Sequence, residues 1–109
     1  PLSVKRDVRH AFHLYVVRME TDASTGGRVE AFTRLRQMGI GVNVHYIPVH
    51  LHPFYRNKYG TSLGQCPVAE KAYQEILSLP MYPAMSDEMV TEVVNTVKKV
   101  AGENGSLKK

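Results

Sequence analysis

The sequence has one cysteine, Cys66, so no disulfide can close within the chain. Nothing else in it calls for an oxidising compartment. Cys66 stands directly before Pro67 with no histidine near it in sequence, which fits a structural place better than that of a nucleophile. No apolar run approaches membrane-spanning length, which excludes a transmembrane helix. The first residues lack the apolar core of a signal peptide. An initiator methionine is missing as well: the chain opens on Pro1, as a piece cut from a longer protein or a processed product does. The signatures of a self-contained catalyst are absent too. There is no G-x-S-x-G, no H-E-x-x-H, no P-loop and no close pair of carboxylates in an apolar setting.

Charge of one sign is in mild excess, at net +4. The lysines and arginines are scattered over helix surfaces and the tail. A nucleic-acid module gathers them on one face with aromatics between, so nucleic acid is not an expected partner. A mild positive excess also suits an anionic small ligand such as a phosphate ester.

At 109 residues the chain holds one domain with a modest core. Residues 1–8 are polar and basic and read as an arm or linker, residues 9–102 as the domain, and residues 103–109 as a flexible tail. Residues 10–19 read as a strand. Phe12, Leu14, Val16 and Arg18 share one parity, and Ala11, His13, Tyr15, Val17 and Met19 the other. Both sides carry apolar groups, so a central, covered strand is expected. Arg18 near its end calls for an anionic partner, either a carboxylate of the fold or a bound phosphate.

Residues 20–27 are a polar loop, and a helix is expected over 27–38. Val29, Phe32, Leu35 and Met38 form its apolar side, and Gly39 is its stop. Ile40, Val42 and Val44 then alternate with Gly41, Asn43 and His45, which predicts a second strand over 40–47. Pro48 ends it, because proline has no ladder donor. A helical turn is expected over 53–59, and a helix opening at Gln65 or Cys66 with Ala69, Ala72, Tyr73 and Ile76 on its apolar side. A short third strand is expected within 76–81, held to an edge or a short length by Pro80 and Pro83. The last helix starts at the N-cap Ser86, buries Met89, Val90, Val93, Val94, Val97 and Val100, and ends at Gly102. The order predicts an α+β domain: a small sheet of about three strands with helices mainly on one face.

Chemistry concentrates where the second strand runs into an aromatic loop, between His45 and Tyr59. Three readings of this stretch stay open on the residues alone. His45, His50 and His52 could serve zinc, although His45 has the opposite parity to the other two and Pro48 interrupts the path. The imidazoles, the Tyr46 and Tyr55 hydroxyls and Arg56 or Lys58 could instead contact a phosphate or sugar, with tyrosine rings against a sugar face. His45 and Tyr46 could also be satisfied residues of the core and its rim.

Several segments in order resemble one family. They are His13-Leu14-Tyr15-Val16-Val17-Arg18; Leu35-x-x-x-Gly39-Ile40-Gly41-Val42-x-Val44-His45-Tyr46-x-Pro48-x-His50; Pro67-x-Ala69-Glu70; and Leu77-Ser78-Leu79-Pro80-Met81-Tyr82-Pro83. Together they resemble the C-terminal part of the DegT/DnrJ/StrS sugar aminotransferases, pyridoxal-phosphate enzymes of the aspartate aminotransferase fold type. The form from Val44 to Tyr55 looks closest to the branch that makes UDP-4-amino-4,6-dideoxy-N-acetyl-L-altrosamine for pseudaminic acid.

The resemblance implies the C-terminal small domain of a fold-type I aminotransferase. It implies transfer of an amino group from L-glutamate to C4 of a UDP-linked 4-keto-6-deoxy sugar. The pyridoxal 5'-phosphate and its lysine belong mainly to a large N-terminal domain outside this chain, so the fragment alone is expected to be inactive. A cytoplasmic homodimer is implied for the full-length protein, with no membrane or nucleic-acid partner. By place in the motif, His45 is the leading sugar-nucleotide contact, then Tyr46 and His50, with Arg18 behind them; no catalytic residue and no metal ligand is expected here. The other class is a stand-alone, non-enzymatic α+β domain that binds a small ligand or a protein.

Overall fold

A computed structural model describes residues 6–19 and 27–104, with side chains to residue 102. The expected loop at 20–26, most of the arm and the last five residues lie outside the described residues. Two strands, β1 (Tyr15–Arg18) and β2 (Ile76–Leu79), pair antiparallel, with Val16 opposite Ser78 and Val17 opposite Leu77. The described residues also form four helices: α1 (Gly27–Gln37), α2 (Pro53–Tyr59), α3 (Pro67–Glu75) and α4 (Asp87–Asn104). A 3-10 turn spans Val49–Leu51. The α+β class holds, and the sheet is smaller than expected.

The expected second strand, over 40–47, does not form among the described residues, and this has a physical cause. The alternation at Ile40, Val42 and Val44 does its expected work: Ile40 and Val42 are buried and Val44 packs on the core. Backbone pairing, however, is limited to one antiparallel bridge between Asn43 and Ser78. The Val42 N–H turns back to the Ile40 carbonyl at 2.9 Å, which takes it out of any ladder. One step further along that register the partner is Pro80, which has no N–H to give. β2 therefore lies between β1 and the 43–45 segment. Of the two outcomes its prolines implied, it takes the short length and not the edge, and β1 is not central. β1 is also shorter than the expected 10–19: β2 offers four residues to pair with, and Phe12 at φ 49° breaks the extended path.

Residues opposite one another in an antiparallel pair point to the same side. One face of the sheet thus carries Val17, Leu77, Val42 and Val44. It meets α1 and α4 over a core of Met19, Ala31, Leu35, Ile40, Val42, Leu77, Val100 and Ala101. The other face carries Val16, Arg18, Ile76, Ser78, Asn43 and His45.

α1 ends as expected at Gly39, whose φ of 83° is open to glycine at no steric cost. The Gly39 N–H bonds to the Arg36 carbonyl and the Ile40 N–H to the Leu35 carbonyl, a Schellman closure. Leu35 and Ile40 then enter the same core. The apolar face of α1 is turned from the one expected: Ala31 and Leu35 are buried, while Val29 and Met38 are exposed. α4 starts at Ser86, whose Oγ accepts from the Met89 N–H at 3.3 Å. Its buried seam is Val93, Val97, Val100 and Ala101, and Met89, Val90 and Val94 remain exposed. The core is too small to cover the full expected stripe. The helix also runs through Gly102 to Asn104, because one glycine costs a helix only about 1 kcal/mol and cannot stop it alone.

Candidate functional site

The bridge at Asn43 fixes the path into His45. The Ser78 N–H donates to the Asn43 carbonyl at 2.8 Å, and the Asn43 N–H donates to the Ser78 carbonyl at 3.1 Å. Two residues on, the half-buried His45 ring comes back to the same serine, with Nδ1 2.8 Å from Ser78 Oγ. Ser78 itself is buried. Tyr46 follows across a cis peptide bond. Its ring meets His45 edge-on at 4.8 Å between centroids, and Tyr46 is 72% exposed. An imidazole tied by one nitrogen and an accessible phenol thus stand side by side. Such a pair can donate to a phosphate or hydroxyl and lay a ring against a sugar.

His50 sits differently. Its Nε2 is 2.7 Å from Glu70 Oε1, and both side chains are nearly covered. Glu70 also accepts from the Gly64 N–H at 2.9 Å and the Cys66 N–H at 3.1 Å. Burial pushes its carboxyl pKa up, but the bonds from Gly64, His50 and Cys66, with the attraction of His50, outweigh that and hold it below the ordinary value. Thr61 Oγ1 donates to the His50 carbonyl at 2.6 Å. The ring nitrogen His50 offers is therefore spent on joining the 49–52 turn to the start of α3.

Arg18 shares a sheet face with His45, and its partner is a carboxylate of the fold: Nε donates to Glu75 Oε2 at 2.7 Å, and Nη2 bonds to the same oxygen. Of the two sequence readings of Arg18, the structure shows the ion pair. Tyr55, Arg56 and Lys58 lie on α2, an exposed helix closed by Gly60 at φ 65°. Tyr55 stacks with Tyr59, and the Lys58 ammonium lies 5.4 Å from the Phe54 ring centroid and 5.5 Å from that of Tyr59. Among the described residues no hydrogen bond or ring contact joins this ridge to His45. No group of three or more potential metal ligands gathers among the described residues. Cys66 is exposed and N-caps α3 without a side-chain bond.

Sequence reasoning missed Ser78 and Glu70 as organisers. Ser78 had a signal, a lone hydroxyl inside the apolar run 76–79. Glu70 had none beyond its place after Pro67, because its partners come from two separate stretches, the 49–52 turn and the loop before α3.

Residues 1–98 match the DegT/DnrJ/EryC1/StrS aminotransferase family. The chain belongs to that family. It is 44% identical over 102 residues to the uncharacterized protein MJ1066 of Methanocaldococcus jannaschii, a match covering 94% of this chain and 26% of that protein. It is 41% identical over 98 residues to the spore coat polysaccharide biosynthesis protein SpsC of Bacillus subtilis, covering 89% of this chain and 25% of SpsC. Among solved structures it superposes on the "Putative sugar aminotransferase Spr1654" of Streptococcus pneumoniae, PMP-form, with a TM-score of 0.76 and 31% identity. That match covers 85% of this chain and 23% of Spr1654. The chain spans about a quarter of the length of the curated relatives it matches.

Aminotransferases of this kind hold their cofactor through a lysine. Among the described residues Lys58, Lys71, Lys98 and Lys99 are all exposed. A lysine serving as an imine-forming amine sits where burial or a neighbouring cation lowers its pKa. The described residues therefore do not fit a cofactor cradle by themselves.

Proposed function

We propose that this chain is the C-terminal domain of a pyridoxal-phosphate-dependent aminotransferase, and that it helps bind a UDP-linked 4-keto-6-deoxy sugar whose C4 receives an amino group from L-glutamate. The observation that carries this is the placement of His45. Its ring is half-buried, tied through Nδ1 to Ser78, and set beside the exposed Tyr46 on the sheet face away from α1 and α4. The family and the PMP-form neighbour support the reaction class. The name of SpsC, a spore coat polysaccharide biosynthesis protein, supports a glycan product, and the resemblance of the Val44–Tyr55 motif favours the pseudaminic acid branch. His45 and Tyr46 hold the nucleotide sugar by hydrogen bonding and ring contact, which fixes the ketone for transfer. His50 and Arg18, the other residues expected at the sugar nucleotide, stand behind them, tied to Glu70 and Glu75. A large domain beyond this chain holds the cofactor, and the working form is a cytoplasmic homodimer.

The test is the visible spectrum of the full-length protein loaded with pyridoxal phosphate. On adding L-glutamate the cofactor band shifts as the amino group is taken up. A band that never forms, or that L-glutamate leaves unchanged, removes the reading. A UDP titration of His45→Ala then asks whether the sugar nucleotide is held where proposed.

A further inference from the structure

We propose that Ser78 is the positioning residue of the site: its buried hydroxyl donates to His45 Nδ1 and so presents Nε2–H outward as a donor to the sugar nucleotide. This rests on the reading of His45 as a nucleotide-sugar contact.

Ser78 is held at three points. Its N–H and carbonyl are both bonded to Asn43, and its Oγ stands 2.8 Å from His45 Nδ1. The residue is only 5% exposed, and Val16 lies opposite it in the sheet. Among the described residues the hydroxyl has no other partner. A hydroxyl can donate or accept, but its one proton needs an acceptor, and a buried proton left without one is costly. The Nδ1 lone pair is the acceptor within reach. A neutral imidazole that accepts at Nδ1 carries its proton on Nε2. The tautomer is thus set from below, by a strand residue that never touches ligand.

The geometry of the chain explains why a serine does this. Asn43 is directly opposite Ser78, so His45, two residues on, is its diagonal neighbour on the same face. That separation is about 7–8 Å between backbones and within reach of a ring. A hydroxyl one carbon from the backbone then meets Nδ1, the ring nitrogen nearer the histidine backbone. Nε2 is left on the far side of the ring.

The experiment uses the full-length protein labelled with 15N-histidine, in wild-type, Ser78→Ala, Ser78→Thr and His45→Gln forms. Ring 15N shifts are read in long-range proton–nitrogen spectra, with His45→Gln giving the assignment. UDP binding is measured by calorimetry. The expected result is a wild-type His45 with unprotonated Nδ1 and protonated Nε2. In Ser78→Ala the two tautomers mix and UDP binding weakens about five- to tenfold, the scale of one lost orienting hydrogen bond. Ser78→Thr, which keeps the hydroxyl, restores both. A merely structural serine would lower stability without moving the tautomer.

A wild-type ring protonated at Nδ1 overturns the proposal. So does a Ser78→Ala protein that binds UDP like wild type while His45→Gln binds it weakly; the reading of His45 then stands without its positioning residue. If His45→Gln binds UDP like wild type, the contact reading fails and takes the proposal with it.

Discussion

Leu77 is the residue whose truncation tests the packing most directly. It is fully buried in β2, on the face that meets α1 and α4. Leu77→Ala removes three carbons, about 2.4 kcal/mol of transfer free energy at ~0.8 kcal/mol each. The cavity left behind raises the total to about 3–5 kcal/mol. A domain of this size is stable by roughly 5–15 kcal/mol, so this one change consumes a large part of it. Among the described residues the core has eight buried apolar side chains, few enough that neighbours cannot share the loss. The control is Val94→Ala on the exposed side of α4, where Ala's better helix propensity offsets the lost contacts to within about 0.5 kcal/mol. Urea unfolding of the 109-residue chain, followed by far-UV circular dichroism, reads both. With a slope of ~1.5 kcal/mol/M, Leu77→Ala lowers the midpoint by about 2–3 M or leaves the chain unfolded, and Val94→Ala barely moves it. A Leu77→Ala midpoint no lower than that of Val94→Ala would refute this core.

The lowered pKa of Glu70 makes a signed prediction. Its ionised form contributes stability that is present above the ordinary value near 4.5 and lost as pH falls through the lower folded value. Unfolding midpoints taken from about pH 6 to about pH 3 fall less steeply in Glu70→Gln, which lacks that titration; an unchanged slope contradicts the latch. Gly102→Ala, in the body of α4 with open space for a Cβ, stabilises by about 0.5–1 kcal/mol. Gly60→Ala costs about 1 kcal/mol at its φ of 65°, and thermal melts separate the two signs. The Arg18–Glu75 pair is partly exposed, so a double-mutant cycle on Arg18→Ala and Glu75→Ala returns about 0.2–1 kcal/mol; a much larger coupling would mean a more enclosed pair.

What the sequence disclosed was mostly local. Gly39, Pro53, Pro67 and Ser86 mark their helix ends because their effects act within one turn of backbone. The side facing the core was harder to read. Val29 and Val94 have the right spacing but not the right direction, since a stripe of helical period does not say how far a small core reaches. The second strand failed for a related reason. Alternation reports burial, which Ile40, Val42 and Val44 obey, whereas strand pairing also needs a partner of matching length. Proline at position 80 and four-residue β2 deny it one. At the site, His45 was legible as a histidine at the end of an apolar alternation. Its hold on Ser78 joins residues 33 positions apart and depends on a register no local pattern encodes.

The Glu70 latch has a consequence for how this domain tolerates change. Between His50 and Glu70 the chain leaves the body, forms α2 and returns, and it is fastened at its base by His50–Glu70 and by Thr61 to the His50 carbonyl. Among the described elements α2 packs chiefly against the 49–51 turn. The excursion is a cassette with a clasp. Its tip can be lengthened or exchanged at a closure cost that grows only slowly with loop length, while the bridge at Asn43 and the core beneath it stay as they are.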